Sequence, residues 1–177
     1  MDYEIIKSGL TPAQCSTLLD QCKKLEQKNS PRYYPGFSIS DNSQILNVLQ
    51  PFAKSASIAN GWNQDFDLSF GTGVNFFNAA VGEKLGRHID KPLYELDENY
   101  QVKPEFDNRY CSKTAIVCLS SEYSGGLIQI FTDEEKFDEI RLDVGDVLVI
   151  NGLTPHQLAE VKSGVFYALC AFFCANT

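Results

Sequence analysis

Both histidines of this chain stand where they could share a metal ion with a nearby carboxylate. His88 is followed two positions later by Asp90, and His156 comes 68 positions after His88. Two imidazoles and a carboxylate in this order are the ligand set of a 2-His-1-carboxylate facial triad, which holds one face of Fe(II) and leaves the other positions open for an organic co-substrate and O₂. The spacing therefore predicts a non-haem iron site formed by His88, Asp90 and His156.

The H-x-D pair is compact enough to lie on one extended segment. Side chains alternate along a strand, so His88 and Asp90 would point to the same side while Ile89 faces away into the packing. His156 would then have to arrive from another strand. An H-x-D pair also occurs by chance, and a single histidine is usually structural. Pro155, which fixes the approach to His156, and the absence of any leftover histidine favour the metal site over a chance constellation.

The composition is that of one globular domain with a β-rich core. The chain has 177 residues, of which 44% are hydrophobic and 12% aromatic. A domain of this length buries roughly two-thirds of the surface that its unfolded chain exposes. The net charge of −8 repels phosphate backbones, and no run of Lys or Arg interrupts it. We therefore expect no nucleic-acid partner.

Cysteine usage and hydropathy bear on the compartment. The six cysteines, at positions 15, 22, 111, 118, 170 and 174, form no C-x-x-C pair. Four of them fall inside apolar runs, where a reduced cysteine behaves as a small hydrophobic residue. The sequence contains neither a signal-peptide pattern nor an apolar run of about 18 residues that could span a membrane. These features predict a cytoplasmic protein without a membrane partner.

The first third of the chain predicts one strand and two helices. A short apolar run at 3–6 predicts the strand, and Thr11 before Pro12 predicts the start of a helix that runs to about residue 27. Apolar residues at helical spacing predict a second helix over 45–59. The intervening residues 28–43 are rich in turn formers and are predicted to be a loop.

From residue 68 onward the pattern is that of about eight short strands. In the first of them one row contains Asn75, Phe77 and Ala79 and the other contains Val74, Phe76 and Asn78, so that one row should face the inside of a barrel. An irregular stretch at 91–109, next to the predicted ligands, is either a substrate-selecting insertion or a solvated loop. The fold class predicted is mainly β with flanking helices, a double-stranded β-helix of the jelly-roll, cupin-like kind. We expect a single domain over 1–177, with a helical support at about 10–60 and a jelly-roll core at about 68–175.

Four motifs carry a resemblance to a known family. They are the segment 82–90, the run TAIVCLSSEYSGGLIQIF, the turn and strand LDVGDVLVIN, and the run PHQLAEVKSGVFYAL. In these the chain resembles the 2-oxoglutarate/Fe(II)-dependent dioxygenases and is closest to their prolyl-hydroxylase-like branch. The resemblance implies that His88, Asp90 and His156 bind Fe(II), that 2-oxoglutarate is the co-substrate, and that an unactivated C–H bond is hydroxylated with release of succinate and CO₂. A carboxylate at position 90 points to hydroxylation, because related iron halogenases lack it.

The sequence departs from that family at one position. Its members usually anchor the distal carboxylate of 2-oxoglutarate with an Arg or Lys about ten residues past the second histidine, and Phe166 stands there in this chain. By the same resemblance, Lys113 is the first candidate for a replacement anchor, because some relatives use a lysine from a central strand. Lys162 is the second candidate, although it lies in a predicted turn. Arg87 and Arg109 are more typical of surface charges.

Three functions remain open from the sequence. The first is a 2-oxoglutarate- and Fe(II)-dependent hydroxylase acting on a peptide or protein side chain or on a small metabolite. The second is a non-haem iron oxygenase that does not use 2-oxoglutarate, which the phenylalanine at position 166 suggests. The third is a catalytically silent jelly-roll module that binds a ligand or a partner. The sequence predicts neither the identity of the substrate nor an oligomeric state.

Overall fold

A computed structural model describes residues 2–26, 36–39, 43–62, 73–90, 109–152 and 154–176. Within these ranges there are two helices and twelve strands. The helices are α1 (Pro12–Glu26) and α2 (Ser43–Asn60). The strands are β1 (Tyr3–Ile6), β2 (Gly36–Ile39), β3 (Gly73–Ala79), β4 (Leu85–His88), β5 (Arg109–Cys118), β6 (Tyr123–Gly125), β7 (Ile128–Phe131), β8 (Phe137–Ile140), β9 (Val147–Asn151), β10 (His156–Leu158), β11 (Val161–Gly164) and β12 (Phe166–Asn176).

The strands form two main antiparallel sheets. The larger has six strands in the order β1-β9-β5-β12-β3-β2, and the smaller has four in the order β4-β10-β7-β8. A two-stranded sheet joins β11 and β6. Strands distant in sequence are neighbours in both main sheets, as in a jelly roll. The predicted fold class, mainly β with flanking helices, is confirmed.

The two helices pack on the outer face of the six-stranded sheet. Thr11 and Gln14 begin α1 as a capping pair, because the Gln14 amide donates to Thr11 Oγ1 at 3.3 Å while the Thr11 amide donates to Gln14 Oε1 at 2.9 Å. Leu49 of α2, with 0% of its surface exposed, lies in a core cluster with sheet residues that include Val117 and Val149. This helix-facing core packs against one face of the six-stranded sheet, and the opposite face carries the candidate site.

Alternation along the strands gives the six-stranded sheet two different faces. On β5, Ala115 and Val117 join the helix-facing core, whereas Ile116 joins a second core between the sheets. On β3, Val74 and Phe76 face the helices and Phe77 faces the interior. The row with Phe77 and Ala79 is therefore the inward one.

Two segments predicted as loop or turn contain strands. Part of the predicted loop 28–43 is β2, which pairs with β3; Ser43 begins α2, and residues 28–35 and 40–42 lie outside the described residues. The predicted turn that contains Lys162 is β11, which pairs with β6. Buried Tyr123 and Val161 hold these short strands in place, an effect of tertiary packing that the local glycine pattern does not reveal.

Two expectations about the rest of the chain are addressed only in part. Residues 91–108 lie outside the described ranges, and Arg109 opens β5. Neither described helix is long and apolar enough to cross a bilayer. A single domain over 1–177 stays a prediction, but β1 and β2 join the six-stranded sheet at its two edges. Of these two strands, β2 comes from the part of the chain expected to be helical support, and β1 lies before it.

Candidate metal centre

The structure brings the three predicted metal ligands together. His88 ends β4, Asp90 follows two residues later, and His156 begins β10. The strands β4 and β10 are antiparallel neighbours in the four-stranded sheet, and His88 and His156 are direct partners in their register. Their ring centroids are 4.4 Å apart. Distant parts of the sequence therefore meet at one end of a single strand pair.

The distances between the three groups suit a shared ion. His88 Nε2 lies 3.6 Å from Asp90 Oδ1, and His156 Nε2 lies 3.6 Å from Asp90 Oδ2. One ligand atom from each residue can be chosen so that all three lie within 4.8 Å of one another. Nitrogen and oxygen ligands bind divalent transition metals at about 2.0–2.2 Å, so two ligands of one ion sit about 3–4 Å apart. The arrangement can hold one face of a metal ion.

Hydrogen bonds orient both imidazoles in the same way. His88 Nδ1 donates to the Gly86 carbonyl oxygen at 2.8 Å, and His156 Nδ1 donates to the Thr154 carbonyl oxygen at 3.0 Å. A carbonyl only accepts, so in each neutral ring the proton is on Nδ1 and the lone pair is on Nε2. The two Nε2 atoms are the ones that face Asp90. Such backbone contacts are the usual way in which a protein fixes the tautomer of a metal-binding histidine.

Asp90 is buried and is held from the opposite sheet. Thr114 on β5 donates its hydroxyl hydrogen to Asp90 Oδ2. Burial alone would raise the pKa of Asp90, but the hydrogen bond with His88, the charge of His156 and the Thr114 hydroxyl together lower it below its ordinary value. The carboxylate therefore stays ionised, as a metal ligand must be.

The two histidines differ in their environment. The hydrogen bond with Asp90 raises the pKa of His88, which is partly exposed. Desolvation lowers the pKa of His156, which is 6% exposed. His156 thus lies at the inner side of the centre and His88 at the open side.

Ile89 corrects one detail of the sequence prediction. It is 37% exposed and does not enter the packing. The reason is that β4 ends at His88 and forms the edge of the four-stranded sheet, so no described strand covers its far side.

A cavity opens beside the three ligands, between the two main sheets. Its empty space, including the open mouth, is about 440 Å³. Apart from the ligands, most of its wall is apolar; the wall residues that matter below are Phe77, Thr114, Ile116, Phe166, Cys170 and Phe172. The metal centre and the cavity thus form one continuous site.

The structure does not bring Lys113 to this cavity. Lys113 precedes Thr114 on β5, so its side chain leaves the opposite face of the sheet, where its Nζ lies 5.8 Å from the ring centroid of Trp62. The side chain is buried at 1% exposure, and its ammonium donates to Ser112 O at 2.8 Å and Ser112 Oγ at 3.1 Å. Burial lowers the pKa of Lys113 to about 8. A role as the co-substrate anchor receives no support from this position.

Lys162 and Arg87, two of the other predicted cations, also lie away from the described cavity wall. Lys162 on β11 is exposed and pairs with Glu160 at 2.8 Å. Arg87 packs its guanidinium 4.1 Å from the Phe131 ring centroid and donates to the Glu134 carbonyl oxygen. The side chain of Arg109 lies outside the described part of the chain.

Sequence reasoning missed Thr114. The residue stands in the strand KTAIVCLS, where only the neighbouring lysine was singled out. Period-two alternation puts Thr114 in the same row as Ile116 and Cys118, but only the structure shows that this row of β5 is the inward one.

The chain is similar to known hydroxylases in sequence and in fold. No family model matches the chain. A PKHD-type hydroxylase of Prochlorococcus marinus strain NATL1A is 28% identical over 143 residues, which cover 80% of this chain and 60% of that protein. The chain thus spans only 60% of the length of the curated relatives that it matches.

Solved structures match over nearly the whole chain. The viral collagen prolyl hydroxylase of Paramecium bursaria Chlorella virus-1, solved with 2-oxoglutarate, gives a TM-score of 0.71 at 16% identity and covers 100% of this chain and 97% of that one. A prolyl-4-hydroxylase of Pseudomonas putida gives 0.69 at 13% identity, with 99% and 94% covered. The fold is that of a prolyl-hydroxylase-like 2-oxoglutarate/Fe(II) oxygenase. Within that fold, the candidate metal centre lies at the mouth of the jelly roll.

Proposed function

We propose that the chain is a non-haem Fe(II) dioxygenase that couples the oxidative decarboxylation of a 2-oxo acid to hydroxylation of an unactivated C–H bond. The convergence of His88, Asp90 and His156 at one end of a strand pair carries this proposal. The 2-oxo acid that the comparisons support is 2-oxoglutarate, which the viral prolyl hydroxylase binds. With it the products would be succinate, CO₂ and the hydroxylated substrate.

The residues present fit a ferrous ion. Two neutral imidazoles with Nε2 directed inward and one ionised carboxylate are the donor set that non-haem Fe(II) takes on one face. His88, Asp90 and His156 would hold the ion. When bound, it supplies the open positions at which an oxo acid and O₂ react.

The protein's own groups contribute position and shelter. Thr114 holds Asp90 Oδ2, which keeps the carboxylate from rotating between the two histidines. The carbonyls of Gly86 and Thr154 hold the two rings. The apolar wall between the sheets excludes water from the reacting region, which limits unproductive turnover.

The reaction balances with one O₂ per turnover. One oxygen atom enters the carboxylate formed when the 2-oxo acid loses CO₂, and the other enters the new hydroxyl group of the substrate. The two electrons that reduce the second oxygen atom come from the substrate C–H bond. No further reductant is required.

The substrate class proposed is a peptide or protein side chain or a small metabolite. The viral neighbour is named for collagen, which favours the peptide. A net charge of −8 further favours a target that carries basic groups. We place the reaction in a reducing compartment such as the cytoplasm, because Cys15, Cys118 and Cys170 are buried thiols without disulfides.

Anaerobic metal and co-substrate binding tests the proposal. Fe(II) is added to the purified chain and followed by a 2-oxo acid, and a weak visible charge-transfer band marks the iron–oxo-acid complex. The His88→Ala variant should bind neither Fe(II) nor the 2-oxo acid. Lys162→Ala, an exposed change away from the cavity, serves as the matched control and should bind both. Absence of iron binding by the wild-type chain would favour a silent binding module instead.

A second candidate is an iron oxygenase that does not use 2-oxoglutarate. The observation that favours it is the apolar wall of the cavity, which includes Phe166. Iron binding without any response to 2-oxoglutarate would support this candidate.

A further inference from the structure

Among the residues that the structure describes, the wall of the cavity beside the metal centre carries no charged side chain other than the three ligands. Phe77, Ile116, Phe166 and Phe172 contribute rings and an aliphatic chain. Cys170 contributes a thiol that is 6% exposed. A ligand that reaches past the metal into this space therefore meets an apolar surface.

The polar groups on the same wall are already engaged. The Thr114 hydroxyl donates to Asp90, and the Gln157 amide nitrogen donates to Gln129 Oε1. Gln129 in turn donates to Glu139 at 2.7 Å. Each of these polar side chains on the described wall is therefore already held by at least one hydrogen bond within the protein.

No basic side chain among the described lining residues faces this space. Lys113 leaves the other face of β5 and Lys162 pairs with Glu160 at the surface. A second carboxylate placed between these rings would lose its hydration without gaining a cation from the described part of the wall. Burial of an unpaired ionised carboxylate is strongly unfavourable, whereas an apolar tail gains free energy from the same transfer.

Phe166 is fixed in this wall and is not a flexible cover. It is 3% exposed, and its ring packs edge-on against Tyr123 with centroids 5.1 Å apart. The Tyr123 hydroxyl donates to the Leu142 carbonyl oxygen at 3.0 Å, which holds the tyrosine in turn. The apolar character of the wall is thus built into the core between the sheets.

We infer that the co-substrate of this site is a 2-oxo monocarboxylic acid with an apolar side chain, aliphatic or aromatic, in preference to a dicarboxylic 2-oxo acid. The inference rests on the proposed function, because the 2-oxo acid group would still bind the metal held by His88, Asp90 and His156. The tail would lie against Phe166, Ile116 and Phe172. The reaction keeps its balance, since the 2-oxo acid loses CO₂ and becomes the carboxylic acid that is one carbon shorter.

Comparing the affinities of two oxo acids tests this inference directly. The full chain is loaded anaerobically with Fe(II) and titrated with 4-methyl-2-oxopentanoate and with 2-oxoglutarate, and the heat of binding and the thermal midpoint are recorded besides the visible band. We expect 4-methyl-2-oxopentanoate to bind at least about tenfold more tightly, a difference that corresponds to about 1.4 kcal/mol. Equal or tighter binding of 2-oxoglutarate would overturn the inference.

A matched pair of variants at position 166 examines the cause. Phe166→Arg introduces a guanidinium into the wall and should reverse the preference toward 2-oxoglutarate, while Phe166→Leu keeps the wall apolar and should preserve the wild-type order. The wild-type titration does not depend on either variant folding. If the arginine variant folds and still prefers the apolar acid, Phe166 does not line the tail and the inference fails.

The same titration separates this inference from the proposed function. Binding of 2-oxoglutarate that equals or exceeds that of 4-methyl-2-oxopentanoate refutes the apolar preference and leaves the oxo-acid dioxygenase intact. Iron binding with no response to either acid refutes both the inference and the oxo-acid chemistry. Failure to bind iron refutes the metal centre itself.

Discussion

His88 and His156 lie directly opposite each other across the ladder between β4 and β10, with ring centroids 4.4 Å apart and both Nε2 atoms directed at Asp90. Two imidazoles this close to one carboxylate make a preformed cation site. The folded chain should therefore bind a divalent metal that the unfolded chain binds weakly, and metal should stabilise it.

The first prediction concerns this stabilisation. Fe(II) or Co(II) at about 100 times its dissociation constant should add about 2.7 kcal/mol to the free energy of unfolding. For a chain of this length the thermal midpoint should rise by about 5–10 °C. His88→Ala should fold but lose the shift, because His88 is a partly exposed residue outside the core clusters. An unchanged shift in that variant, measured by calorimetry beside Lys162→Ala, would remove His88 from the site.

The second prediction concerns Thr114, which acts on the metal through Asp90. Thr114→Val keeps the shape of the side chain but removes the hydroxyl that holds Asp90 Oδ2. Loss of such an outer contact typically weakens metal affinity about 10- to 100-fold. Thr114→Ser restores a hydroxyl and should recover most of the affinity. A competition titration with a chelating dye measures the affinity.

A purely structural role for Thr114 would give a different pattern. In that case Thr114→Val would lower the thermal midpoint of the metal-free protein, and the metal affinity of the folded fraction would stay at the wild-type level. Both quantities are therefore measured on the same samples.

Part of the candidate site has a local signal in the sequence, because the H-x-D pair places His88 and Asp90 within three positions. His156 is distant in the sequence, and only the register of β4 with β10 shows that it lies opposite His88. The capped helix at Thr11 and the apolar β-pattern after residue 68 are equally local, and the fold class that they predicted is confirmed.

The remaining features depend on contacts between distant segments. Whether Lys113 or Thr114 faces the cavity is set by how β5 sits between β9 and β12, and a one-residue shift would exchange the two. The strands β6 and β11 are held by buried Tyr123 and Val161. The glycines in and beside these strands are typical of turns, so the local sequence does not predict them as strands. Neither fact can be read from propensity or spacing alone.

The third prediction concerns the stability effect of the buried Lys113. Its folded pKa of about 8 lies below the ordinary 10.5, so the unfolded chain binds more protons between these values. The contribution of this group therefore destabilises the folded chain at pH 7, and the destabilisation fades as the pH rises toward 10.5. Lys113→Met should raise the free energy of unfolding by about 1–3 kcal/mol at pH 7.

Urea unfolding at pH 7, 8.5 and 10 checks this prediction. Burial raises the pKa of Cys170 and Tyr123, and these groups make the folded chain less stable as the pH rises, which is opposite to the effect of Lys113. Both groups are present in the wild type and in Lys113→Met, so the difference between the two free energies of unfolding isolates the effect of the lysine. The difference should shrink as the pH rises. A variant that is less stable than the wild type at pH 7 would mean that the ammonium contributes favourable contacts beyond those with Ser112.

The fourth prediction uses the same variant to decide whether Lys113 anchors the co-substrate. The Lys113 side chain projects from the helix-facing side of the six-stranded sheet, away from the cavity. In Lys113→Met, the dissociation constants of both 2-oxoglutarate and 4-methyl-2-oxopentanoate should therefore stay within about twofold of the wild-type values. The measurement is the anaerobic titration described above. A large, selective loss of 2-oxoglutarate binding would restore the lysine as its anchor.

The fifth prediction concerns Asp146, which ties β1 to the turn before β9. Its carboxylate accepts from the amides of Ser8 and Asp143, each at 3.0 Å, and from Lys7 Nζ at 2.6 Å. Burial would raise the pKa of Asp146, but Lys7 and the two amides together lower it below its ordinary value of 3.8. The stabilisation is therefore fully present above the unfolded pKa and is lost as the pH falls through the lower folded one.

Asp146→Asn should cost about 2–3 kcal/mol at pH 7, because a buried, charged acceptor of several hydrogen bonds is replaced by a neutral one. Lys7→Met is the control and should cost less than about 1 kcal/mol, since the Lys7 side chain is 62% exposed. Urea unfolding between pH 3 and 7 should show the Asp146→Asn difference constant above about pH 5 and shrinking below pH 4. The Asp146 carboxylate is the only titrating group that the substitution removes. If the difference in free energy of unfolding does not change with pH, the effect therefore comes from altered packing and not from the charge of Asp146.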